Sequence, residues 1–126
     1  MVLSKEIYSK LLNNSINYKQ NKYKNKKVLY NGIKFDSQKE RNYYIKLKLL
    51  EDKGKIKGLK LQVKFELQPK FQFGNKNIQA ISYIADFTYY DEENKLHIVD
   101  TKGVRTDVYK IKKKMMQYRG LEIEEV

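Results

Sequence analysis

Residues 59–67, LKLQVKFEL, alternate apolar and polar side chains without a break, the period of a strand with one buried face. Pro69 marks its end or an edge position. Upstream, KVLYNGIKF carries a hairpin signal, because Asn31-Gly32 suits a type I′ turn between two short apolar pieces. The next segment, 36–55, predicts an amphipathic helix. Ser37 and Glu40 form an S-x-x-E capping box, Tyr43, Leu47 and Leu50 recur at i, i+4 and i+7, and Gly54 stops it. GNKN at 74–77 turns the chain into a strand over ISYIADFTYY, and DEEN turns it again into KLHIVDTK. From Thr106 to Arg119 the pattern is helical, with Val108, Ile111, Met115 and Tyr118 on one face and Lys110, Lys112, Lys113 and Lys114 around it. Gly120 stops that helix, and LEIEEV predicts a last short strand. At the start, Ser4 caps a short helix bearing Ile7, Leu11 and Leu12. Residues 13–27, polar, basic and aperiodic, then predict a flexible linker or a basic arm along phosphates. The order is helix, strand, strand, strand, helix, strand, an α/β domain at 28–126 behind an N-terminal helical and basic extension at 1–27.

Composition narrows the chemistry. At 126 residues, with 40% hydrophobic and 33% charged, the chain suffices for one folded core. It has no cysteine and a single histidine, His97. That excludes disulfides, thiolate zinc sites, cysteine nucleophiles and multi-histidine metal sites, so chemistry must rest on carboxylates, lysines and tyrosines. The net charge of +12 attracts polyanions, nucleic acid first among them. Only three of the 27 basic residues are arginine, and the wealth of Lys, Asn, Ile and Tyr reflects AT-rich codons in part, as in a low-GC bacterium or its phage. Without a secretion signal or an apolar run of membrane-spanning length, the bacterial cytoplasm is the expected compartment and no membrane partner is expected.

Two aspartates interrupt the most apolar strands. Asp86 lies inside the first, and Asp100, followed by Thr101 and Lys102, ends the second. If Glu92, Glu93 and Asn94 form a three-residue loop with Asn94 left-handed, Asp91 pairs with Lys95. Asp86 then falls opposite Asp100, with β-carbons about 5 Å apart. Opposed like charges repel, so one carboxyl stays protonated or a cation sits between them, and Mg2+ or Mn2+ suits such oxygens. A register slip of one residue would separate the two. Lys102 alternates with Leu96, Ile98 and Asp100, although a strand end emerging into solvent accounts for it as well. Glu40 is either the reciprocal member of the capping box or a third acid on the face of Tyr44 and Leu47. His97, on the other strand face, reads as structural. Tyr83, Tyr89, Tyr90 and Tyr109 read mainly as packing residues.

GIKFDSQKE, LQVKFELQPKF, YIADF and VDTKG, in that order, resemble the PD-(D/E)XK nuclease superfamily, the restriction-endonuclease-like fold. Within it they are most similar to small phage-encoded nuclease-like proteins of unknown function. The resemblance covers residues 28–126. It implies a core of helix, three-stranded antiparallel meander, helix and strand. Asp86 matches the aspartate of the PD element, with Ala85 in place of proline. Asp100 and Lys102 match (D/E) and K, and Glu40 matches the acid of the first helix. The implied activity is metal-dependent DNA phosphodiester hydrolysis. Mg2+, with Mn2+ substituting, would be held by Asp86, Asp100, the Thr101 carbonyl and Glu40. Lys102 would orient the attacking water or neutralise the phosphate. Arg105, Lys110, Lys113 and Lys114 would meet flanking DNA phosphates, although each alone reads as a solvated side chain. Relatives of that superfamily include restriction enzymes, Holliday-junction resolvases, transposon end nucleases and homing endonucleases, which leaves the substrate open, branched DNA in phage recombination or replication included. A homodimer is expected on symmetry grounds only. The competing expectations are an inactive nuclease-like DNA-binding or partner-binding module, and an RNA-binding protein, which explains the charge but not the opposed aspartates.

Overall fold

Asn31 and Gly32 both take positive φ, 51° and 80°, the requirement of a type I′ turn. They fold β1 (Val28–Tyr30) back onto β2 (Ile33–Phe35) with Tyr30 opposite Ile33. The computed structural model describes residues 27–101 and 104–126, in two compact units divided between Lys57 and Gly58. The helix expected at Ser4, almost all of the expected linker at 13–27, and Lys102 lie outside the described residues.

In the first unit the hairpin leads into α1 (Gln38–Asp52). Ser37 is extended, and its Oγ accepts the Glu40 N–H at 3.0 Å, so the predicted cap forms. At the other end Gly54 N–H donates to the Glu51 carbonyl and Lys55 N–H to that of Leu50. With Gly54 at φ 75° this is a Schellman ending. The buried stripe differs from the expected one. It consists of Glu40, Arg41, Tyr44, Ile45 and Leu47, while Tyr43 and Leu50 are half-buried. The hairpin's aromatics decide this, since Tyr44 packs on Tyr30 and Phe35 at centroid distances of 5.9 and 5.2 Å.

The second unit is built on a four-stranded sheet of β3 (Lys57–Gln68), β6 (Ile81–Tyr90), β7 (Leu96–Asp100) and β8 (Ile123–Glu125), adjacent in that order. β3 stops before Pro69, as expected of a residue without an N–H. The stretch expected as a plain turn contains a small exposed hairpin, β4 (Phe71–Phe73) with β5 (Lys76–Ile78). β6 and β7 are antiparallel, and β7 and β8 are parallel. A parallel pair needs a crossover, supplied by α2 (Asp107–Tyr118), whose N-cap Thr106 accepts the Tyr109 N–H at 3.1 Å. The unit is therefore mixed α/β.

Leu67, Tyr83, Ala85, Ile98, Tyr109, Met116 and Ile123 make its core, with Phe65, Leu96, Met115 and Leu121 packed around them. Here α2 departs from its sequence pattern. It buries Tyr109 and Met116, whereas Val108, Ile111 and Tyr118 are exposed. The helix is turned by about one residue, or ~100°, from the face the apolar residues mark. Lys112 and Lys113, half-buried, flank the buried stripe with their methylene stems, which a count of apolar side chains does not register. Met116→Ala is accordingly expected to lower stability by ~2–5 kcal/mol. Ile111→Ala should stay within ~0.5 kcal/mol of wild type. Urea unfolding of both variants checks the order, and the reverse order would mean that the helix buries its other face.

Candidate functional site

The β6–β7 hairpin positions the site. Asp91 N–H donates to the Lys95 carbonyl and Asn94 N–H to that of Asp91, both at 3.0 Å. Asn94 has φ 62°, the left-handed conformation the three-residue loop requires. Asp91 Oδ1 braces the loop by accepting Glu93 N–H and Lys95 N–H at 2.8 and 3.0 Å. The register runs Tyr90 opposite Leu96, Tyr89 opposite His97, Thr88 opposite Ile98 and Phe87 opposite Val99. This is the expected register, and it stops one step short of Asp86 and Asp100.

At that step side chains replace the ladder. Asp86 Oδ2 accepts the Thr101 N–H and the Thr101 Oγ1–H, each at 2.8 Å. Continuing the alternation of narrow pairs from Phe87 and Val99 would place the Thr101 N–H opposite the Ala85 carbonyl; the Asp86 carboxylate takes it instead. Asp100 is buried, and its Oδ2 accepts the Tyr83 hydroxyl at 2.7 Å. Tyr83 shares the α2-facing core with Ile98, the partner of Thr88. Strict alternation from Thr88 would put Tyr83 on the opposite face. One residue of bulge-like irregularity therefore lies between Tyr83 and Thr88, around Asp86.

A further acid stands on the other side of Asp100. In the parallel ladder Asp100 pairs with Glu125, and Val126 N–H donates to the Asp100 carbonyl at 3.0 Å. Glu125 binds Arg105, Nε to Oε2 2.6 Å, and Lys113 through Oε1. The Lys113 bond, with Arg105 assisting, holds the Glu125 carboxyl below the usual carboxylate range. Two tyrosines face this row of acids. Burial, then the hydrogen bond to Asp100, pushes the Tyr83 phenol far above its ordinary value, with the charge of Asp86 adding to the rise. Burial, then the charges of Asp100 and Glu125, pushes Tyr109 up to about 12. Both phenols thus remain protonated donors at neutral pH.

The expected site residues are distributed as follows. Asp86, inside β6, is hydrogen-bonded to buried Thr101, which follows Asp100 at the end of β7. Glu40 is buried on α1 in the first unit. Lys102 is outside the described residues. Arg105 and Lys113 both converge on Glu125, Lys110 lies 4.0 Å from Asp107, and Lys114 is exposed. Among the described residues, no group of three or more His, Cys, Asp or Glu side chains could hold a metal ion. Glu125 and the phenol of Tyr83 are additions to the sequence-derived set. One signal for Glu125 was present: it alternates with Ile123, so it extends a buried strand face as Asp100 does.

His97, expected to be structural, is clamped between two acids. Its Nε2 lies 2.7 Å from Asp91 Oδ2 and its Nδ1 2.7 Å from Glu124 Oε1, and its ring stacks on Tyr89 at 4.8 Å. Two acceptors favour the imidazolium. Asp91, then Glu124, hold the His97 pKa above its ordinary value against the opposing effect of burial, and His97 in turn lowers Asp91. The stability this gives is complete below the ordinary histidine value of about 6.5 and fades as pH rises through the higher native value. Asp91's share is present above about pH 3.9 and is lost as pH falls through its lower native value. His97→Gln should therefore cost more stability at pH ~6 than at pH ~9, measured by urea unfolding at both. An equal cost at both would mean that native His97 is neutral.

No helix among the described residues is long and apolar enough to cross a membrane. No curated protein matches the chain, and no solved structure does. A family model described as "Protein of unknown function (DUF1064)" matches residues 20–126, a span that holds both described units and every acid of the site. The chain belongs to that family.

Proposed function

We propose that the protein is a metal-dependent DNA endonuclease of the restriction-endonuclease-like, PD-(D/E)XK kind. The observation that carries the reading is the Asp86 carboxylate bound to both the N–H and the hydroxyl of Thr101, the residue after Asp100. Two acids from neighbouring strands are thereby tied to consecutive residues, at the strand end from which Lys102 follows. The element order of the second unit and the net charge of +12 support the same reading.

The donor chemistry fits a hard divalent cation. Magnesium is ordinarily bound through one or two carboxylates, with water and substrate phosphate completing the octahedron, rather than by an all-protein cage. Asp86, Asp100 and the Thr101 carbonyl would hold Mg2+, or Mn2+ in its place, and Glu40 is the further acid of the resemblance. Bound there, the ion would supply Lewis-acid stabilisation of the charge developing on the phosphate. The chain's own groups do the rest. Tyr83 orients the Asp100 carboxylate, as hydrogen-bonded partners of ligands do. Thr101 orients Asp86. Lys102 neutralises the scissile phosphate or orients the attacking water. Lysines of α2 meet flanking phosphates, contacts that set register without reading sequence. Symmetric cutting of a branched junction would need two copies.

A supercoiled plasmid and a four-way junction, incubated with the protein in Mg2+ or Mn2+, test this. Wild type is expected to cleave at least one, and EDTA to stop it. Tyr83→Phe should slow cleavage by about 10–100-fold, and Asp100→Asn by more, with DNA binding retained. Binding without cleavage by wild type in either metal would make the protein a binding module instead.

A further inference from the structure

Arg105 and Lys113 were expected to meet DNA, yet in the structure they meet each other's counterion. Arg105 reaches in from the segment before α2, and Lys113 from the body of the helix. They close on opposite oxygens of one carboxylate, Glu125, whose side chain is only 16% exposed. A guanidinium and an ammonium converging on two oxygens of one anion is the arrangement that also receives the two non-bridging oxygens of a phosphodiester. The pair sits beside Asp100, because Glu125 is its ladder partner. The local charge is +1 with Glu125 in place. It would be +2 without it, and one bound phosphate in place of Glu125 would return it to +1.

We infer that Arg105 and Lys113 form a backbone-phosphate site and that Glu125 is its resident counterion, which competes with the DNA phosphate for the two cations. The inference rests on DNA as the partner proposed above, but not on cleavage. Glu125 would thereby hold down the affinity of the protein for duplex that has not been drawn fully into the site, and keep both cations aligned at the end of β7 until a phosphate takes them over. Removing its charge frees both cations for one backbone phosphate, a contact that adds about 0.9 to the slope of log affinity against log salt.

The test is equilibrium binding of a fluorescein-labelled duplex, in EDTA so that no cleavage intervenes, across a range of salt. Wild type is compared with Glu125→Gln, with Arg105→Gln/Lys113→Gln, and with the triple variant. Glu125→Gln is expected to bind more tightly and with a steeper salt slope, so that its advantage over wild type shrinks by about 3.5-fold from ~50 to ~200 mM salt. In the triple variant the advantage should disappear. Glu125→Asp keeps the charge but is shorter by one methylene; it should fall between wild type and Glu125→Gln, and it serves if the glutamine variant fails to fold. Unchanged affinity and slope in Glu125→Gln, or in Glu125→Asp should the former not fold, would overturn the inference. So would a gain that survives in the triple variant, or absence of DNA binding by every variant at low salt. A gain found in a protein that never cleaves would leave this site standing and remove the nuclease reading. Cleavage without the gain would do the reverse.

Discussion

On its β6 side, the end of β7 is held by a carboxylate rather than by the strand ladder. Asp86 accepts both hydrogen-bond donors of Thr101 at the point where the β6–β7 ladder has stopped. A hydrogen bond to a charged group contributes about 1.5–3 kcal/mol, more than the neutral ladder bond it replaces. The same bond fixes where Asp100 lies, since Asp100 is the preceding residue. Asp100 is 1% exposed, and a buried carboxylate is costly unless it is hydrogen-bonded or paired. Tyr83 offsets part of that cost from one side, and the Arg105–Glu125–Lys113 cluster stands on the other. The local fold thus concentrates negative charge at one strand end and arranges donors around it, a construction that a core built for stability alone does not require.

The resulting charge pattern is layered. Asp86 accepts the two donors of Thr101 and Asp100 accepts the Tyr83 hydroxyl, whereas Glu125 carries two cations. Ion pairs cancel charge and release it only to a competitor. The strand end thus carries two kinds of acid, one held by hydroxyl and N–H donors and one held by an ion-pair cluster.

Much of this was legible in the sequence where local rules act alone. Asn31-Gly32, the Ser37 cap, the Gly54 stop and the left-handed Asn94 each follow from the backbone preferences of one or two residues. The loop at Asn94 then fixed the β6–β7 register. What escaped was decided by tertiary packing. The apolar residues of α2 mark one face, but Tyr109 beside Tyr83, at 6.3 Å between ring centroids, and Met116 in the core turn the helix to another. Strict alternation along β6 hid the slip near Asp86, because one residue of irregularity leaves no mark in the hydrophobic pattern. The partnership of Asp100 with Glu125 depends on a parallel pairing across a helical crossover, which no local signal specifies. The exposed β4–β5 hairpin, with Phe73 74% exposed, has too little buried surface to leave a periodicity.

The most direct measurement is a crystal of the protein grown or soaked with Mn2+ and recorded for anomalous scattering. The account predicts a peak at the end of β7, coordinated by carboxylate oxygens of Asp86 and Asp100. A fully loaded crystal with no peak there, or with Mn2+ bound only elsewhere, would contradict the claim that these two acids converge on a divalent cation.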